Sequence, residues 1–206
     1  IEVEVENLLS TSKPDVVVHL AGKVGGIGAN RVAQGEFFYQ NLMMGALVLE
    51  KSRLHNVKKV VALAAGCGYP KNLEVPYKES DFWDSLPDEN SVGYSMAKKM
   101  LIIQSWTYRE QYGFDSTILL PANLFGPYDN FNLESSHVVP ALVRKIFEAN
   151  LAGDSLVEVW GSGKASREFL YVEDTAKAIL DTAELCNISG PLNLGTGRET
   201  SIKELV

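Results

Sequence analysis

The chain is poor in the residues that staple or metallate a small protein: 206 residues hold two cysteines, Cys67 and Cys186, and three histidines. That count excludes a disulfide framework and a cysteine-rich metal cluster, and leaves reduced thiols in a cytoplasmic protein as the simplest reading. Long apolar runs are missing too. None approaches the ~18 residues of a membrane span. The acidic opening, Ile1-Glu2-Val3-Glu4-Val5-Glu6, lacks the apolar segment of a signal peptide. It also lacks an initiator Met, so the chain is expected to be a piece of a longer protein. Positive charge is scarce: 19 Lys and Arg against 26 Asp and Glu give a net charge of −7. A nucleic-acid binder needs a basic face, so that class is set aside. An anionic small ligand would have to be held by local Arg, Lys and backbone N–H groups.

What is present suits a soluble globular domain, or one and a fraction, with 46% apolar and 22% charged residues. Residues 1–12 read as the end of a helix. Asp15-Val16-Val17-Val18-His19-Leu20-Ala21 is a buried strand by its apolar, β-branched run. A glycine loop, 22–28, is followed by a long helix, 31–55, apolar on several faces. Strand 58–65, a long loop over 66–91, helix 94–112 and strand 116–120 come next. Helix 137–150, short strands 157–160 and 168–172, helix 173–186, a strand and turn at 191–197 and a new helix start complete the chain. Strands alternating with helices mean βαβ units: an α/β fold with a Rossmann-like, doubly wound parallel sheet.

Within helix 94–112, Tyr94 and Lys98 are four apart and share a face. A phenol ordinarily loses its proton near pH ~10, and an ammonium beside it favours the phenolate. The pair is therefore expected to act as an acid/base whose Tyr94 pKa is lowered by Lys98. Alone the spacing says little, since chance gives roughly 0.5 such pairs in a chain of this composition. The surroundings add weight.

Gly22, Gly25 and Gly28 spell G-x-x-G-x-x-G between a strand and a helix, the context of a dinucleotide fingerprint. Two readings are open: the first βα turn of the fold, or a later loop of it. Ala64-Ala65-Gly66-Cys67-Gly68-Tyr69-Pro70 leads out of strand 58–65. A lone Cys is usually buried packing, but glycines on both sides leave little to pack against, which favours a functional thiol. His137 opens a helix in Ser135-Ser136-His137-Val138-Val139-Pro140-Ala141-Leu142. From its sequence alone, Asn41 reads as a surface amide. His19 and His55 read as strand-buried and surface-turn residues.

These segments, in this order, resemble the extended short-chain dehydrogenase/reductase family (NAD-dependent epimerases and dehydratases), and within it the GDP-L-fucose synthase branch. The match runs through His19-Leu20-Ala21-Gly22-Lys23-Val24-Gly25-Gly26-Ile27-Gly28-Ala29-Asn30, the Cys67 loop, Tyr94 to Lys98, Pro121-Ala122-Asn123-Leu124-Phe125-Gly126-Pro127, the His137 segment, Trp160-Gly161-Ser162-Gly163 and Arg167-Glu168-Phe169-Leu170. The resemblance places the glycine loop after the family's fourth strand and implies that the earlier strands, with the fingerprint, lie outside this chain. It implies a partial cofactor domain over 1–125 and a smaller α/β substrate domain over 126–206, with segments about 168–190 returning to the first.

By resemblance, Tyr94, Lys98, Cys67 and His137 are the catalytic set, and Asn41 is instead a helix Asn that supports Lys98 through water. Ala21, Gly22, Leu63, Ala64, Ala65, Lys98, Pro121, Ala122, Asn123, Leu124 and His137 flank the cofactor, NADP with NAD as the alternative. Lys145, Trp160 and Arg167 hold the nucleotide end of a GDP-sugar. No metal is implied. A homodimer is expected through the helices 31–55 and 94–112. One departure stands out: the family's catalytic Ser or Thr is Ala65 here, and losing one donor from such a site costs about 100- to 1,000-fold in rate. Two further readings therefore stay open, an NAD-recycling nucleotide-sugar epimerase or dehydratase and a catalytically impaired nucleotide-binding protein.

Overall fold

Parallel strands cannot be closed by tight turns, so each pair needs a crossover, and helices supply it here. The computed structural model describes residues 2–206. Helix α1, Glu2–Ser12, precedes β1, Val16–His19. A short helix α2, Ile27–Val32, and a long α3, Gln34–Leu54, carry the chain to β2, Lys59–Leu63. Helix α4, Val92–Tyr112, then leads to β3, Ser116–Pro121. After β4, Asn123–Phe125, come α5, Val138–Ala152, β5, Ser166–Tyr171, α6, Val172–Leu185, and β6, Pro191–Leu194. Strand β7, Glu199–Ser201, and helix α7, Ile202–Leu205, end the chain.

The main sheet has the order β1-β2-β3-β6, all parallel. Its side chains alternate as the pleat requires. Val60, Ala62, Ile118 and Leu120 face one way and pack with Leu49 of α3 and Leu101 and Ile102 of α4. Val61 and Leu119 face the other way and meet Ile179 of α6. A second sheet, β4-β5-β7, has β4 parallel to β5 and β7 antiparallel to it.

Three details differ from the sequence reading. The glycine loop closes into α2, and the long helix begins after a break at Ala33. The strand expected over 157–160 does not form. Lys145 Nζ donates to the Glu158 carbonyl at 3.0 Å, and Gly161 and Gly163 turn the backbone into positive φ, which ends the extended run before it can pair. Strand β7 answers β5 instead. Finally, the 66–91 stretch is tied down by two 3₁₀ turns, Gly66–Gly68 and Glu79–Trp83. The second inserts Phe82, fully buried, edge-on against Tyr69 with ring centroids 4.8 Å apart.

Helix α4 is anchored at both ends by glycine. At Gly93 a Cβ would overlap the Gln34 carbonyl, so only glycine lets α4 begin against the start of α3. Gly113, at φ 66°, provides the left-handed cap that ends it.

Candidate active site

In an open parallel sheet, ligands bind beyond the carboxyl ends of the strands, where the connecting loops diverge. Three such ends lie side by side here. Beyond β1 run Leu20, Ala21 and Gly22; beyond β2, Ala64, Ala65 and Gly66; at the end of β3, Pro121 and then Ala122, Asn123 and Leu124. The first turn of α4 carries Tyr94 alongside these ends, and the second carries Lys98.

Lys98 is buried, and its ammonium donates to the Leu63 carbonyl at 3.0 Å. Burial pulls its pKa down to about 8, partly offset by negative charge on Cys67. The Nζ lies 6.0 Å from the centre of the Tyr94 ring. Contrary to the sequence expectation, the Tyr94 pKa is raised. Burial disfavours its phenolate first, and the nearby Cys67 thiolate adds like-charge repulsion. The ammonium is engaged by the Leu63 carbonyl and is itself partly desolvated, so its pull on the phenol does not prevail.

His19, at the end of β1, is buried, and its pKa falls to about 4 through burial and the charge of Lys98. It is neutral at pH 7. Sequence reading expected the burial but not the link to Lys98, since the two are 79 positions apart in the chain.

Cys67 is reached by solvent, yet protein crowds it closely enough to desolvate the thiol. Burial pushes its thiol pKa up, opposed by a hydrogen bond from Ser95, its own backbone N–H and the charge of Lys98. The Ser95 hydroxyl stands 3.2 Å from Sγ. Sequence reading missed Ser95, because the Tyr-x-x-x-Lys pattern leaves the intervening positions blank. The Cys67 turn is held from behind as well. Tyr69 Oη donates to Asn193 Oδ1 of β6 at 2.7 Å.

Asn41 is not a surface amide, and the bonds it makes directly are to the glycine loop and its own helix. Buried in α3, it accepts from the Lys23 N–H at 3.0 Å and donates to the Lys23 and Phe37 carbonyls at 2.9 and 2.7 Å. It fixes the glycine loop. A Cβ on Gly22 would stand 3.2 Å from Asn41 Oδ1 and 3.5 Å from Lys98 Nζ. Glycine thus keeps clear the space over the lysine, a cradle able to accept a ribose hydroxyl, and Lys98 has donors to spare. The residues present fit a nicotinamide dinucleotide.

His137 is the exposed N-cap of α5. The segment before it crosses the glycine loop, with the Ser135 and Ser136 carbonyls 3.9 Å from the position of a Gly26 Cβ. Two helical turns on, Lys145 Nζ sits over the Trp160 ring, 5.0 Å from its centre. Trp160 is 78% exposed, which is not how a core tryptophan sits. Arg167 is exposed at the start of β5 and donates to the Ser166 carbonyl at 2.6 Å.

A parallel sheet crossed by helices, with a Tyr/Lys pair on the helix between its second and third strands and a thiol at the second strand end, is a Rossmann-type arrangement. The chain belongs to the NAD dependent epimerase/dehydratase family, whose model matches residues 2–195. It is 41% identical over 202 residues to the GDP-L-fucose synthase of Sinorhizobium fredii, covering 98% of this chain and 64% of that protein. Among solved structures it resembles the GDP-L-fucose synthetase of Naegleria fowleri bound to NADP, with a TM-score of 0.92 and 32% identity over 100% of this chain and 63% of that one. The GDP-mannoheptose C4 reductase of Campylobacter jejuni with NADP bound gives a TM-score of 0.87 and 29% identity over 100% of this chain and 71% of that one. The chain thus spans just under two thirds of the length of the curated relative it matches.

Proposed function

We propose that the protein is an NADP-dependent epimerase/reductase acting on a GDP-4-keto-6-deoxy sugar. The observation that carries this reading is the gathering of Cys67, Tyr94 and Lys98 at the strand ends, with the thiol in reach of α4 through Ser95. Carbons flanking a ketone are acidic because the carbonyl accepts the resulting charge. Cys67 and His137 are assigned to removing a proton from such a carbon and returning one to its opposite face. NADPH supplies the hydride when bound. Tyr94 gives its proton to the ketone oxygen as that oxygen gains negative charge, and a phenol of raised pKa is fully protonated and ready to donate.

The cofactor would lie along Ala21, Gly22, Leu63, Ala64, Ala65 and the Pro121–Leu124 run, with Lys98 on the nicotinamide ribose and His137 at the sugar. Residues 1–125 are assigned to the partial cofactor domain, and 126–206 mainly to the substrate domain. Segments 168–190 return to the first, as the packing of α6 on Val61 and Leu119 supports. Lys145, Trp160 and Arg167 are assigned to the guanosine diphosphate end: a ring face for the base, cations for the phosphates. The site of action is the cytoplasm.

The test is to supply the full-length protein with a GDP-4-keto-6-deoxy sugar and NADPH in deuterated water. Oxidation of NADPH together with deuterium at carbons beside the ketone is the expected result. Cys67→Ser or His137→Asn should suppress the label far more than reduction of an already epimerised ketone, and Tyr94→Phe should do the reverse. Reduction without label would assign a simple C4 reductase, and a tightly held NAD with no net turnover of NADPH would assign a cofactor-recycling epimerase. Ala65 favours one second reading, a nucleotide-binding protein of little activity, and absence of both signals would assign it.

A further inference from the structure

Ser95 is fully buried in α4, and its one hydroxyl proton faces three acceptors. The Cys67 carbonyl lies at 3.1 Å, Cys67 Sγ at 3.2 Å and Ser91 Oγ at 3.4 Å. A single proton serves one of them at a time. While Cys67 is a thiol, its S–H can donate to Ser95 Oγ and the Ser95 hydroxyl to the Cys67 carbonyl. When the thiol loses its proton, the hydroxyl turns to the sulfur, because a charged acceptor binds more strongly than a neutral carbonyl. Rotation about one C–O bond therefore supports both protonation states without moving a heavy atom.

We infer that Ser95 is the positioning residue for Cys67: it pins the Gly66–Gly68 turn to α4 and stabilises the thiolate by a direct hydrogen bond. The inference rests on the role proposed above for Cys67, and it explains how the thiol and the Tyr94 phenol are kept in fixed relation. They are joined through adjacent residues of one helix. The other titratable groups facing the thiol are Tyr94 and Lys98, both on α4, with His19 of β1 behind Lys98. Lys98 acts on the sulfur through its charge, whereas Ser95 touches it.

The test reads the thiol itself. The pH dependence of Cys67 alkylation by iodoacetamide is followed peptide by peptide, so that Cys186 does not interfere. Loss of a hydrogen bond to a charged group should move the Ser95→Ala midpoint up by about one pH unit, or roughly tenfold less thiolate at a given lower pH. Ser95→Thr keeps the hydroxyl and should restore the wild-type profile. Ser105→Ala, which removes another buried α4 hydroxyl bonded instead to Ser116 at 2.7 Å, should leave it unchanged. A Ser95→Ala profile that superimposes on wild type, or an equal shift in Ser105→Ala, overturns the inference.

Should Ser95→Ala fail to fold, the infrared S–H stretch of Cys67 in Cys186→Ser protein decides. It should lie below that of a free thiol, and a free-thiol frequency overturns the inference. Because alkylation needs no substrate, it separates this claim from the functional one. If Cys67→Ser left deuterium exchange untouched, the role of Cys67 would fall while the midpoints still decided Ser95.

Discussion

At the scale of single residues, the site trades stability for chemistry, and Lys98 shows the sign of the trade. Its folded pKa of about 8 lies below the ordinary lysine value of 10.5. The unfolded chain therefore binds the proton more tightly than the folded one. The penalty is fully present below pH 8 and is relieved as the pH rises from 8 through 10.5. Lys98→Met should accordingly raise the melting temperature at pH 7, by up to ~3 kcal/mol of stability less the lost bond to the Leu63 carbonyl, while removing activity. The gain should vanish by pH 10.5; a gain that did not change with pH would contradict the burial argument. Ala65 is the second case. If the ketone oxygen is one donor short, the transition state suffers more than the ground state. Ala65→Ser should then raise kcat by roughly 10-fold with KM little changed, about 1.4 kcal/mol in the barrier. A flat or lower kcat in steady-state assays would mean that the site already has its donor.

At the scale of elements, what could be read in advance follows from what makes each element. Strands β2 and β3 are short β-branched and aliphatic runs buried on both faces, and α3, α4 and α6 fill the intervals parallel pairing demands. These were legible because local pattern and tertiary role agree. Strand β1, expected to be buried, lies at the edge of the sheet and leaves Val16 and Val18 exposed, because no further strand or helix among the described residues covers that side. The strand expected over 157–160 failed although Val157-Glu158-Val159-Trp160 alternates correctly: the Glu158 carbonyl accepts from Lys145, and Gly161 and Gly163 turn the chain away at positive φ. Tyr94 and Lys98 were legible as a pair, but the direction of the Tyr94 shift was not, since burial and the Cys67 charge come from other elements. Ser95 was missed, and Asn41 was noticed without its actual partner, for the same reason: Cys67 and Lys23 are brought to them by the fold. The Cys67 turn illustrates how tightly one element sets another. A Cβ at Gly68 would run into the ring of the fully buried Phe82. Gly68→Ala should cost about 1–3 kcal/mol and displace the thiol. Denaturant melts should show the loss, and an Ala variant as stable as wild type would mean that the 79–83 turn yields freely.

At the scale of the whole molecule, the unanswered surface is the outer face of α3 and α4. From Phe37 to Leu49, α3 carries no charged residue, although the chain as a whole has a net charge of −7. Phe37, Asn41, Gly45 and Leu49 turn inward and are buried. Leu42, Met43, Met44 and Leu47 are left half-covered, and Phe38 and Tyr39 are 38% and 62% exposed. On α4 the half-covered Met96, Met100 and Ile103 follow the same helical spacing. A stripe of this width, flexible in its methionines and free of like charges that would repel a second copy, suits a two-fold packing of four helices, in which each copy presents the same patch to the other. The full-length protein should therefore be a homodimer by light scattering at tens of micromolar. Leu47→Lys, which places a charge in the middle of the stripe without touching the inward residues, should give a monomer with an unchanged far-ultraviolet spectrum. The same variant should retain alkylation of Cys67 at the wild-type rate, because the thiol lies at the strand ends rather than on the outer helix face. A wild-type monomer under these conditions would remove the dimer, and a Leu47→Lys dimer would move its interface to another surface.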